Sequence, residues 1–216
     1  MKHIKLAAAL TSALLTVSCI PALAFSVSAD AAEEVGVTDT YGDYTYVNNG
    51  GSIEITGFDK SSSATSASIP SEIDGVPVTS IGTQAFYFCT KLTTITIPNT
   101  VTNISASAFA YCQGLTSISI PGTVTTVGNS AFTRCTAMTS AEIGNGVTTL
   151  GSSAFANCSN LQTVSIPNSV TEIGAEAFSY CTSLPSVVIP DSITAIPASM
   201  FYMCTTLTDV TIPNTV

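Results

Sequence analysis

The stretch Ile81-Gly82-Thr83-Gln84-Ala85-Phe86-Tyr87-Phe88-Cys89-Thr90-Lys91-Leu92-Thr93-Thr94-Ile95-Thr96-Ile97-Pro98 returns every 23 residues, substituted but without gaps, to the end of the chain. Phe86, Phe109, Phe132, Phe155, Phe178 and Phe201 fall in one column, and Cys89, Cys112, Cys135, Cys158, Cys181 and Cys204 fall in another. The columns that begin at Ile81, Ala85, Leu92, Ile95, Ile97 and Val101 repeat in the same way, with Met138, Ala141 and Met200 among the departures. A fixed period of this length means one supersecondary unit stacked along an axis, each turn touching only its neighbours. In each unit, Leu92 to Pro98 alternates apolar and β-branched polar residues, which reads as a short strand with Ile95 and Ile97 turned inward. Pro98, Pro121, Pro167, Pro190 and Pro213 recur where that strand should stop, because proline cannot donate to a ladder. Between Ile81 and Leu92 the inward candidates sit at offsets 0, 4, 5, 8 and 11, a helical spacing. The expected turn is therefore one parallel strand plus one short helical segment, and the expected fold class is an α/β repeat solenoid.

Working outward, Ala67-Ser68-Ile69-Pro70 matches a strand end, but Ile69 to Ile81 spans 12 residues where Ile97 to Ile104 spans 7. The extra residues carry Asp74-Gly75, a turn signal. Tyr44 to Val47 and Ile53 to Ile55 flank Asn48-Asn49-Gly50-Gly51, which predicts a β-hairpin over the first turn. Residues 41–80 are thus read as an N-terminal cap with an incomplete first turn, and 81–216 as six repeats, the last truncated. Residues 25–40, with Asp30, Glu33, Glu34 and Asp39, have little to bury and read as a flexible acidic leader. Lys2 and Lys5 precede an apolar run from Leu6 to Val17, and Ala22-Leu23-Ala24 offers a small-residue cleavage site, so 1–24 reads as a secretory signal peptide. The run is shorter than the ~20 residues a membrane-crossing helix needs, so no transmembrane segment is expected in the mature chain. No downstream counterpart of the cap is found. The uncovered side of the Phe201 turn is expected to mark a fragment, a missing domain, or self-association with another chain.

The chain of 216 residues carries 5 Lys+Arg against 14 Asp+Glu, and charged residues make up only 9% of it. Ser and Thr must supply most of the surface polarity. Acidity of this degree argues against a phosphate-tracking nucleic-acid binder, whose affinity would come from Lys and Arg. Loss of residues 1–24 would also remove His3, the one histidine.

These repeats resemble the BspA-like leucine-rich repeats, a bacterial class with a unit of the form Ile-Gly-x-x-Ala-Phe-x-x-Cys-x-x-Leu-x-x-Ile-x-Ile-Pro-x-x-Val-Thr-x. Ile173-Gly174, Ala177-Phe178, Cys181, Leu184, Ile166-Pro167 and Val170-Thr171 match it. The resemblance implies a right-handed coil with a parallel sheet on the concave side and short helical segments on the other. It also implies export or surface display in bacteria, and binding to matrix proteins, other cells or surface polymers. Gly144-Asn145-Gly146 in place of the proline turn and Pro197 in place of a glycine depart from the unit.

The cysteine column allows three readings: buried free thiols, disulfides between neighbouring turns, or a metal site. Parallel strands lie about 4.7–4.9 Å apart, which does not forbid a bridge by Cα distance. Parallel side chains do not converge on a tetrahedral centre, so no metal is expected, and no cofactor motif is found. Serine or cysteine nucleophiles need a base, and the mature chain has no histidine. Glu142 and Asp209 lie three turns apart, about 14 Å at strand spacing, whereas glycosidase pairs need roughly 5–9.5 Å. Glu172 and Glu176 read as a solvated surface. No catalytic residue is assigned.

Two outward strand columns, Thr94, Ser117, Ser140, Thr163, Ser186, Asp209 and Thr96, Ser119, Glu142, Ser165, Val188, Thr211, form a polar face some 30 Å long at about six rung spacings. Such residues also simply suit sheet geometry and solubility. A third, variable column, Phe88, Tyr111, Arg134, Asn157, Tyr180 and Met203, lies on the other side. Exposed aromatics and Arg are typical interface anchors, though packing between neighbouring segments accounts for them as well. The expected function is noncovalent recognition of an extracellular protein or surface glycan by a secreted or cell-surface chain. A structural spacer and a wall-polysaccharide hydrolase are the alternatives.

Overall fold

The computed structural model describes residues 36–216; the expected signal peptide and most of the expected leader lie outside them. Each turn of the solenoid contributes two short parallel strands. One row contains β4 (Ser66–Ser68), β7 (Thr94–Thr96), β9 (Ser117–Ile120), β11 (Ser140–Ile143), β13 (Thr163–Ser165), β15 (Ser186–Val188) and β16 (Asp209–Thr211). The other contains β3 (Ile53–Phe58), β6 (Val76–Ile81), β8 (Asn103–Ile104), β10 (Thr126–Val127), β12 (Thr149–Leu150) and β14 (Glu172–Ile173), paired in that order. In the first row the period becomes register: Ser140 lies between Ser117 and Thr163, and Ala141 between Ile118 and Val164. The first row is interrupted twice, between β7 and β9 and between β13 and β15. At the second break Pro185 occupies the position at which Thr116, Thr139, Gln162 and Thr208 donate their backbone N–H to the preceding turn, and proline has no N–H to give.

The expected hairpin is present: β2 (Tyr44–Asn48) pairs antiparallel with β3. β1 (Thr38–Tyr41) adds a third antiparallel strand outside β2, so residues 38–40 belong to the sheet and not to a flexible leader. β5 (Glu72–Ile73) folds back on β6 through Asp74-Gly75, the turn expected there. The five extra residues are therefore a small hairpin inserted into an otherwise regular turn. Shifting the comparison from 23 to 28 residues aligns Phe58 with Phe86 and Ser66 with Thr94, and both pairs are neighbours in space.

The expected helical segments are absent: no helix occurs among the described residues. Between Ile81 and Leu92 the backbone runs as consecutive tight turns, closed by bonds such as Ala85 N–H to Gly82 O, Tyr87 N–H to Gln84 O and Cys89 N–H to Phe86 O. Gln84 and Phe88 are in the left-handed region at φ 60° and 62°, as are their equivalents in every later repeat down to Ser199 and Met203. A right-handed helix cannot continue through such residues. The N–H groups a helix would bond internally point along the solenoid axis instead: Phe86 N–H donates to Ala108 O at 2.7 Å, and Phe88 N–H to Ala110 O at 3.0 Å. The 0, 4, 5, 8, 11 pattern identified the inward residues correctly. A chain of turns and a helix satisfy it equally, and bonding between turns decides for the former.

Inside, the phenylalanines form a continuous stack. Successive centroids from Phe86 to Phe178 are 5.0–5.5 Å apart with planes within 20°. Phe58 continues the stack at the cap end at 5.4 Å, and Phe201 continues it at the other at 6.1 Å. The six repeat cysteines are free thiols, buried except for half-buried Cys204. Each from Cys112 onward donates its S–H to the phenylalanine carbonyl of the turn before, as Cys112 to Phe86 O at 3.1 Å and Cys158 to Phe132 O at 3.2 Å. The thiol thus serves as a small apolar group that also satisfies a buried carbonyl. Thr102, Thr125, Thr148 and Thr171 repeat the device outside, each hydroxyl bonding the carbonyl 23 residues earlier. Gly144-Asn145-Gly146 has a local cause: a Cβ on Gly146 would collide with the Gly122 carbonyl of the turn below.

Candidate interaction surfaces

The strand row and the row of tight turns place the two sets of outward residues on different faces. On the strand face, register sets Glu142 beside Ser119 and Ser165, Ser186 beside Asp209, and Val188 beside Thr211. Thr94, Thr96, Ser117, Thr163 and their neighbours are exposed, while Ser140 is half-buried. The columns expected from the alternation are in place, with Ser119 Oγ donating to Glu142 Oε2 at 3.2 Å. Two shallow hollows lie on this face, one lined by Ser117, Ser119, Ser140, Glu142, Thr163 and Ser165, the next by Gln162, Ser186 and Val188. Val188 is 64% exposed, an apolar side chain among hydroxyls.

The turn face is built differently. Phe88, Tyr111, Arg134, Asn157, Tyr180 and Met203 all sit at φ 59–62°, at the bend of each second tight turn, which throws their side chains outward in register. Aromatic residues in this conformation are uncommon. They are held there by the bonds between turns already described. The Phe88 and Tyr111 rings stack at 4.5 Å with an interplanar angle of 10°, and the Arg134 guanidinium lies 5.4 Å from the Tyr111 centroid. Tyr87, one position earlier, meets both rings edge-on at 4.8 and 5.4 Å. Lys60, from the cap, reaches to 5.8 Å above the Tyr87 ring. Lys91 donates to Ser62 O at 3.0 Å. Near it, Asp59 is held below the usual carboxylate range, chiefly by hydrogen bonds from the Ser61 hydroxyl and backbone. Further along, Tyr180 meets Tyr202 edge-on at 5.5 Å.

Sequence reasoning found Phe88, Tyr111, Arg134 and Tyr180 but missed Tyr87, Tyr202, Lys60 and Lys91. The tyrosines could have been found, since the column one place before Phe88 is Tyr at 87 and 202 and small elsewhere. Lys60 precedes the regular repeats and had no register to place it.

Burial pushes the Cys89 thiol up to about 11, and those of Cys112 and Cys135 further in the same direction. These sulfurs remain protonated and unreactive at neutral pH. Among the described residues no group of three or more His, Cys, Asp and Glu side chains could hold a metal ion. None of the helices, there being none among the described residues, is long and apolar enough to cross a membrane.

This geometry defines a parallel β-solenoid of the leucine-rich-repeat class. The profile described as BspA type leucine rich repeat region matches residues 51–184 and 130–216 in six copies, and the chain belongs to that family. Among solved structures, the leucine rich repeat protein of T. pallidum is similar at 29% identity and a TM-score of 0.77, the match covering 82% of this chain and 83% of that one. A leucine rich cell surface protein from Faecalibacterium prausnitzii matches at 29% identity and a TM-score of 0.60, covering 81% of this chain. A leucine-rich repeat protein from Bacteroides ovatus matches at 29% identity and 0.59, covering 82%. The match spans about half, 54%, of each of the latter two proteins. No curated protein matches the chain.

Proposed function

We propose that this chain is a secreted or cell-surface recognition module that binds an extracellular protein or surface glycan through the outward faces of its solenoid, without catalysis. The observation that carries the reading is the aligned row on the turn face. Large side chains held at positive φ on successive turns, with exposed Phe88, Tyr180 and Met203, form a ridge of the residue types that anchor interfaces. Export is supported by the signal-peptide pattern of residues 1–24 and by likeness to a protein described as a cell surface protein. A non-catalytic role fits buried, protonated thiols and shallow, hydroxyl-lined hollows.

The test is an array of matrix proteins and glycans probed with the full chain and with two sets of variants. One set replaces Thr94, Ser140 and Thr163 by Ala on the strand face; the other replaces Phe88, Tyr111 and Tyr180 by Asn on the turn face. Binding sensitive to one set is expected. A signal indifferent to both, or no signal at all, would refute the reading. A spacer predicts that neither set matters, and a hydrolase predicts sugar release abolished by Glu172→Gln.

A further inference from the structure

The basic residues of this chain are few and their placement is uneven. Residues 36–216 contain three, Lys60, Lys91 and Arg134, against eleven carboxylates. All three lie along the turn face of the cap and first three repeats, around the cluster formed by Tyr87, Phe88 and Tyr111. On that face no repeat carries an acid before Glu176 in the fifth; the cap contributes Asp59, exposed beside Lys91, and Asp43, which shares a hollow with Asp59 and Lys60 and accepts from the Ser62 hydroxyl at 2.7 Å. Lys60 and Arg134 mark the two ends of the ring cluster, and Lys91 flanks it. Thr90, Gln113 and Thr133 surround it with hydroxyl and amide groups.

We propose that this strip binds an acidic polysaccharide of the uronic-acid type, whose sugar units carry carboxylates. The assignment deepens the recognition reading above and rests on it. Charge complementarity selects an anion, because the strip gathers every cation of the described chain while the remainder of the surface is acidic. The exposed part of Phe88 and the edges of the half-buried Tyr87 and Tyr111 rings suit the C–H groups of sugars, and the surrounding hydroxyls and amides suit their O–H groups. The rise from turn to turn, 4.5 Å between the Phe88 and Tyr111 centroids and 5.0 Å between Phe86 and Phe109, is about the length of one pyranose along an extended chain. Successive turns can therefore meet successive sugars. An extended peptide repeats its side chains on one face at about twice 3.3 Å and would fall out of step. Three cations spread over several turns match the sparse charge of a uronic-acid polymer better than the dense charge of a sulfated one. An Arg or Lys contact of this kind is weakened by salt.

The experiment uses the full chain with polygalacturonate as probe, and neutral dextran, dextran sulfate and poly-glutamate as comparators. Variants are Tyr111→Asn and Arg134→Asn, conservative for the backbone because Asn157 already occupies that column at φ 60°, and Lys91→Gln, which removes the cation flanking the rings, each checked for folding by urea titration. Polygalacturonate is expected to bind and to dissociate as salt is raised. Each of the three variants should weaken it, the Asn variants at least about tenfold, with cooperative urea unfolding retained, and Thr163→Ala on the strand face should leave it intact. Polygalacturonate binding indifferent to all three ridge variants would overturn the proposal, as would equal or tighter binding of poly-glutamate or dextran sulfate. No polysaccharide binding, with a matrix protein captured in a ridge-sensitive way, would overturn the glycan assignment and leave the recognition reading standing. Failure of every array member to sense either face would refute that reading itself.

Discussion

Replacing Phe132 by Ala tests the register of the stack. Phe132 is fully buried, with Phe109 and Phe155 each 5.1 Å from its centroid. Truncating a buried phenylalanine costs about 3–5 kcal/mol, including the cavity, and here two ring contacts are lost together. Phe201 is half-buried and has one ring neighbour at 6.1 Å, so the same substitution there should cost about half as much, roughly 1.5–2.5 kcal/mol. With a urea slope of about 2 kcal/mol per molar, the midpoint should fall by about 2 M for Phe132→Ala and about 1 M for Phe201→Ala. Urea titrations followed by far-ultraviolet circular dichroism and tyrosine fluorescence would measure both. Coincident transitions are required before the slopes are used, since a repeat array can unfold in parts. Equal midpoint shifts, or a loss at Phe132 below about 1 kcal/mol, would show that the rings do not form a continuous interior column.

Gln84, exposed at φ 60°, should gain about 0.5–1 kcal/mol on replacement by Gly and lose stability on replacement by Val, because only glycine adopts that conformation without strain; thermal melts of the pair would check the opposite signs. Gly146→Ala should destabilise the chain by more than ~2 kcal/mol, since its Cβ meets the Gly122 carbonyl, whereas Gly42→Ala, with open space around it but a positive φ, should cost only about 1 kcal/mol; chemical denaturation separates them. Stability should fall above pH 9: the unfolded Cys89 thiol titrates at 9.0 and the folded one at about 11, so the unfolded state binds fewer protons across that window and folding weakens as pH rises. Urea midpoints at pH 7 and pH 10.5 would show this, and Cys135→Ala should reduce the slope. Hydrogen exchange should find β15 and β16 less protected than β9, β11 and β13, because Pro185 withholds a bond between the two groups; equal protection would argue against that seam.

Much of the fold could be read from spacing. A constant 23-residue period fixes register once turns stack, so Ser117, Ser140 and Thr163 had to become neighbours. The N-terminal hairpin followed from Asn48-Asn49-Gly50-Gly51 between alternating segments. The turn face escaped because Ile81, Ala85, Phe86, Cys89 and Leu92 face inward in a helix and in a run of tight turns alike. Residues such as Tyr111 and Arg134 at positive φ carry no sign of it in their identity. The surface strip is legible only in part: Phe88, Tyr111 and Arg134 share a column and Tyr87 and Lys91 lie in the same repeat as Phe88, but Lys60 joins them only through the path of the cap.

The order of side chains along the chain determined the repeating architecture and its interior columns of phenylalanine and cysteine, because a translational repeat leaves each inward residue only its own equivalents as neighbours. Three-dimensional packing decided what periodicity leaves open. Backbone N–H groups on the turn side bond across turns and exclude a helix, the thiols find phenylalanine carbonyls within reach and remain unbridged, and a loop outside the repeats brings Lys60 to the aromatic cluster. Each is a long-range hydrogen bond or contact, settled by the neighbouring turn and unwritten in any local pattern.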